Sequence, residues 1–120
     1  MMSGLNVARR FLDVFGSRAW ATYRDGRVVC VASGQRRSLE CVVNRRGVVR
    51  LRVPDAELIV SLRGRVYDIA GNERLCALLI WVYESVCPVS KQFASDAEIR
   101  TLRTMEWTLD AVCRWLDERE

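Results

Sequence analysis

Between residues 19 and 69 apolar residues recur with period two, and turn-forming residues break the pattern roughly every 8 to 12 positions, a spacing suited to short antiparallel strands in series. Asp25-Gly26 supplies the positive φ angles of a tight hairpin between strands at 19–23 and 27–32. Further strands are expected at about 38–43, 48–53, 58–62 and 65–69, separated by Ser33-Gly34, Asn44-Arg45-Arg46-Gly47, Pro54-Asp55 and Arg63-Gly64. In Val49-Arg50-Leu51-Arg52-Val53 the apolar side chains share one face and the arginines the other, so one side of the sheet is solvated or bound.

Helical spacing flanks this meander. Ser3 caps a first helix at about 4–15, in which Leu5, Ala8, Phe11, Leu12 and Phe15 form a stripe before Gly16. Asn72 caps a second helix that ends at Val86 or Cys87, because Pro88 disfavours α conformation in the residue before it. Ser95-x-x-Glu98 reads as a capping box for a third, continuous helix at about 96–116. The expected fold is α+β: an N-terminal helix, an antiparallel meander of five or six strands, and two C-terminal helices packed on one face. A chain of 120 residues, half of them hydrophobic, suffices for one packed domain spanning 1–120.

Several chemistries lack their usual parts. Histidine is absent, which removes the commonest general base and metal ligand. No Cys-x-x-Cys, Gly-x-x-x-x-Gly-Lys or Gly-x-Gly-x-x-Gly occurs, so neither zinc nor a nucleotide cofactor is indicated. Asp68 with Glu73 and Asp110 with Asp117 are ordinary charges at helix starts and surfaces. Cys76, the one cysteine in an early helical turn, falls beside Leu75, Leu79 and Tyr83 and reads as a small core hydrophobe. The expectation is a noncatalytic protein without metal or cofactor.

Two sets of residues are candidates for binding. Projection of the second and third helices sets Trp81 and Trp107 opposite the apolar stripes, Trp107 beside Arg103 and Arg114. Indoles so placed lie either between the two helices or on a partner, where tryptophan is enriched among residues that dominate binding. The second set is Arg36, Arg37, Arg45, Arg46, Arg50, Arg52, Arg63 and Arg65, which on one surface would suit phosphates, with Tyr67 available to stack on a base. Coding bias is a competing account, since 18 of the 19 basic residues are arginine and only Lys91 is lysine.

Five cysteines, an odd number set within apolar patterns, suggest free thiols in the cytoplasm or nucleus. No apolar run approaches the roughly 20 residues that span a bilayer, and the first 15 residues lack a signal-peptide core. No family motif is present; the likeness to small helix–sheet adaptors such as type III secretion chaperones is one of architecture only. The expected function is an adaptor, regulator or virus-encoded host-interaction protein that docks a protein partner or itself through its helix faces. Nucleic-acid binding by the arginine-rich sheet is the alternative.

Overall fold

The computed structural model describes residues 3–119. Helix α1 (Gly4–Phe15) leads through a short 3-10 turn into six strands, β1 (Ala19–Arg24), β2 (Arg27–Ser33), β3 (Ser38–Val43), β4 (Val48–Val53), β5 (Ala56–Ser61) and β6 (Val66–Gly71). Helices α2 (Glu73–Val86), α3 (Lys91–Ser95), α4 (Ala97–Leu102) and α5 (Leu109–Asp117) follow. The strands pair antiparallel with their sequence neighbours in a single sheet, so the fold is α+β around an up-and-down meander.

Local chemistry sets the register. Asp25 and Gly26 both have positive φ, 55° and 76°, the requirement of a two-residue primed turn whose twist matches the strands it joins. At the next tight turn Pro54 is followed by Asp55 at φ 72°, the arrangement of a type II turn. That turn needs only two residues, so β5 begins at Ala56 rather than at the expected residue 58. Opposite Ile59 and Val60 the ladder shifts by one, leaving Tyr67 as the extra residue of a bulge in β6.

Alternation then fixes the layers. Val28, Cys30 and Ala32 of β2, Leu39, Cys41 and Val43 of β3, Val49, Leu51 and Val53 of β4, and Ala56, Leu58 and Val60 of β5 are all buried. Helix α1 covers β1 and β2, α2 covers β4 to β6, and the two helices touch each other. The Cα envelope, 38 × 34 × 20 Å, is thin in one direction because there are two layers. Nothing among the described residues packs across the other face of the sheet.

Helix α2 is capped as expected, with Asn72 Oδ1 accepting from Leu75 N at 3.1 Å, and eight of its residues are buried. Tyr83 is wholly enclosed, its ring 4.6 Å from that of Phe93 and its hydroxyl donating to the Ser61 carbonyl at 2.8 Å. Burial pushes the Tyr83 hydroxyl well above its ordinary pKa and the Cys87 thiol up to about 12. Both side chains therefore stay neutral members of the core.

The C-terminal region departs from expectation. The helix expected at 96–116 is two helices, and its cap is Asp96, whose carboxylate accepts from Ile99 N at 3.1 Å, rather than Ser95. Helix α4 ends at Leu102, Thr104 Oγ1 donates to the Thr101 carbonyl at 2.7 Å, and Thr108 caps α5 by accepting from Ala111 N. Threonine hydroxyls that bond nearby backbone compete with the helical ladder, which is how residues 103–108 leave it. Between the helix ended by Pro88 and the one starting at Ala97 lies the short helix α3, capped by Ser90.

The end of α5 is clamped to the β2–β3 turn. The Leu116 carbonyl accepts from Arg36 N and Arg37 N, both at 3.0 Å, while the Asp117 carboxylate accepts from Gln35 N and from both terminal nitrogens of Arg18 at 2.9 and 2.8 Å. Those bonds, the Arg18 guanidinium first, hold the Asp117 carboxyl below its ordinary pKa. A Cβ on Gly34 would lie 2.5 Å from the Leu116 carbonyl, so the close approach excludes any other residue there.

Candidate functional site

The tryptophans selected by helical projection do not stand out on one face. Trp107 lies in the interrupted segment and is turned inward, only 7% exposed, with its indole N–H donating to the Arg74 carbonyl at 3.1 Å and the Arg74 guanidinium 4.3 Å from its ring centre. The projection fails because residues 103–108 are not helical. Trp81 is partly buried and shares with Trp107 a shallow groove of about 370 Å³, where Arg103 pairs with Glu84 at 3.1 Å. Arg114 is exposed on α5 and does not line that groove.

The eight arginines fall into three places, because consecutive turns of a meander lie at opposite ends of the sheet. Arg36 and Arg37 belong to the α5 clamp, where the Arg37 guanidinium sits 4.7 Å from the Trp115 ring centre. Arg50 and Arg52 project from the uncovered sheet face and pair with Glu57 and Glu40 at 3.7 and 3.3 Å. Only Arg45, Arg46, Arg63 and Arg65 converge, at the end formed by the β1–β2, β3–β4 and β5–β6 turns. The eight arginines are thus distributed over both ends and the open face of the sheet.

Those four arginines line a cleft of about 740 Å³ that also takes in Tyr23 and Tyr67. Its rim is laced together: Arg45 Nε donates to the Asp25 carbonyl at 2.6 Å, and Leu62 N to the Gly47 carbonyl at 2.8 Å. Asn44 Oδ1 accepts from Arg46 N and Val48 N, and Ser61 Oγ from Arg63 N and Arg65 N. The turns' backbone needs are thus met locally, leaving the guanidinium groups at the mouth.

The uncovered face of the sheet holds the apolar cluster that sequence reasoning missed. Across one row the ladder aligns Trp20, Val31, Glu40, Arg52, Glu57 and Ala70, and across the next Thr22, Val29, Val42, Arg50, Ile59 and Asp68. Trp20 is 51% exposed and stands beside Val31, with Val29 and Val42 in the adjoining row and Ile59 beyond Arg50. On the β1–β3 part of these rows Trp20, Val29, Val31 and Val42 form an apolar cluster flanked by Thr22 and Glu40, and the middle of the face carries the alternating charges of Glu40, Arg52 and Glu57. Comparison with protein-family models, curated proteins and solved structures finds no match to this chain. Among the described residues no helix is long and apolar enough to cross a membrane.

Proposed function

We propose that the protein is a noncatalytic interaction module that self-associates through the uncovered face of its sheet. The observation that carries this reading is Trp20, a half-exposed indole beside Val31, with Val29 and Val42 in the adjoining row, on a sheet covered by helices on one side only. An apolar cluster with polar surroundings is the usual composition of a protein-binding patch, and tryptophan is the side chain most enriched where binding energy concentrates.

Charge complementarity points to a second copy as the occupant. A two-fold axis parallel to the strands, between β3 and β4, sets β3 over the β4 of the other copy and β1 over its β6. Of the six pairs that the two aligned rows then form, Glu40 over Arg52, Val29 over Ile59 and Trp20 over Ala70 are complementary, each twice by symmetry, Thr22 over Asp68 is polar, and Val31 and Val42 meet the side chains of Glu57 and Arg50. Sheets stacked in this way interdigitate their side chains about 10 Å apart.

The area sets the strength. Six strands spaced about 4.8 Å, each about 20 Å long, present a face of roughly 500 Å² per copy. Two copies together bury on the order of 1,000 Å², the lower bound for a specific interface, so the dimer is weak and reversible. Sedimentation equilibrium of the wild type is expected to rise with concentration from 13.8 kDa toward twice that mass. Trp20→Glu is expected to weaken association by about thirtyfold or more while melting within a few degrees of the wild type. A wild type that stays monomeric throughout, or a folded Trp20→Glu protein that still dimerises, overturns the proposal. A monomeric wild type would direct the search to a different protein partner.

A further inference from the structure

The cleft at the turn end of the sheet concentrates cations with no acidic residue in its lining, the nearest carboxylate in sequence being Asp25 of the β1–β2 turn, 3.9 Å from Arg24. Four of its lining residues are arginines and none is aspartate or glutamate, although the chain holds 15 acidic residues. Four guanidinium groups elsewhere are paired, Arg18 with Asp117, Arg50 with Glu57, Arg52 with Glu40 and Arg103 with Glu84, while scattered ones such as Arg27 and Arg114 form no ion pair among the described residues. In the cleft the Arg46 and Arg63 side chains form no ion pair among the described residues. Packing four like charges around one concavity is unfavourable in the free protein and becomes favourable when anions enter.

Two further features narrow the ligand. Tyr23 and Tyr67, 61% and 52% exposed, line the same cleft from the two edge strands, β1 and β6. Exposed aromatic rings at the two sides of a basic groove provide stacking surface, which a ligand bearing phosphate alone does not use. The Arg65 guanidinium lies 5.3 Å from the Tyr67 ring centre, so a cation and an aromatic platform are offered together. The α1 N-terminus also opens here through Ser3 and Gly4, and with no acidic residue in its first turn it adds to the positive field.

We propose that this cleft binds a single-stranded nucleic acid, with phosphates held by Arg45, Arg46, Arg63 and Arg65 and bases stacked on Tyr23 and Tyr67. Five strand spacings separate β1 from β6, about 24 Å along a flat sheet, so the groove takes a short run of nucleotides rather than one. The cleft belongs to one chain and lies away from the uncovered face, so its occupancy does not depend on self-association.

The test is fluorescence anisotropy with a labelled oligouridine strand of about ten nucleotides, in parallel with binding of inorganic tripolyphosphate. Four neutralised phosphates predict that affinity falls about fiftyfold between roughly 50 and 200 mM monovalent salt. Arg46→Glu with Arg63→Glu is expected to weaken both ligands at least tenfold, and the equal charge change Arg9→Glu with Arg114→Glu far less. Tyr23→Ala and Tyr67→Ala are each expected to weaken the oligonucleotide about tenfold and leave tripolyphosphate unchanged, whereas Tyr→Phe at either position retains binding. Trp20→Glu is expected to bind as the wild type does. Three results overturn the proposal: no oligonucleotide binding at low salt, equal losses in the charge control, or tyrosine-to-alanine variants that bind as tightly as the wild type. Tighter binding to vesicles of anionic lipid than to the strand likewise assigns the cleft to a membrane surface instead.

Discussion

Trp107→Ala is expected to lower stability by about 3–5 kcal/mol, the ordinary cost of emptying an aromatic site in a core. The indole is buried against α2, and its loss strands two further contacts: the Arg74 carbonyl loses the N–H it accepts, and the Arg74 guanidinium loses the ring beneath it. In a domain of this size the thermal midpoint is expected to fall by on the order of 10 °C or more. Trp20→Ala, which truncates a half-exposed side chain, serves as the contrast and is expected to change the stability of the monomer by much less. Urea and thermal melts of the two variants, at a concentration where the wild type is monomeric, measure both numbers. A Trp107→Ala protein within about 0.5 kcal/mol of the wild type would mean that the indole projects from the fold, as a continuous helix would have it.

Gly71→Ala is expected to cost about 3 kcal/mol for a change of one methyl group. Gly71 has φ 110°, where a side chain is strained, and an added Cβ would stand 2.0 Å from the Asp55 carbonyl oxygen and 2.7 Å from Ala56 Cα. Neither obstacle is a movable side-chain tip. The Asp55 carbonyl already accepts from Asn72 N at 2.8 Å, and Asn72 in turn caps α2, so relief of the clash disturbs the last residue of β6, the tight β4–β5 turn and the helix start together. Hydrogen exchange is expected to show loss of protection in β5, β6 and the first turn of α2 before it does in β2 and β3. A melting temperature equal to that of the wild type would contradict the close approach.

The sheet was legible because alternation and turn chemistry act locally. Val49, Leu51 and Val53 are buried while Arg50 and Arg52 are exposed, and Asp25-Gly26 adopts the positive φ angles its composition calls for. The helix break was not legible from periodicity, since Ile99, Leu102, Met105, Leu109 and Val112 keep three- and four-residue spacing straight through it. Its signal was Thr104 and Thr108, whose hydroxyls bond the backbone in place of the ladder. Trp20 was hidden because its strand neighbours Ala19 and Ala21 are too small to mark the core side, and only the cross-strand register assigns the indole to the open face. The division of the arginines was recoverable in principle: in an up-and-down meander alternate turns share an end, which joins 44–47 to 62–65 and separates both from 34–37.

Self-association through the open face makes a demand that no single-chain account shares. If Glu40 of each copy meets Arg52 of the other, then Glu40→Arg and Arg52→Glu are each expected to abolish self-association, because like charges then face one another across the two-fold axis. The intrachain pair they disturb is exposed and contributes little, so both variants remain folded. Mixed together, the two variants restore both opposite-charge contacts. The decisive measurement is sedimentation of the two variants alone and in equal mixture at a concentration where the wild type dimerises. The account predicts two monomers that combine into a heterodimer about as tight as the wild-type dimer, and a mixture that sediments as monomer would contradict it.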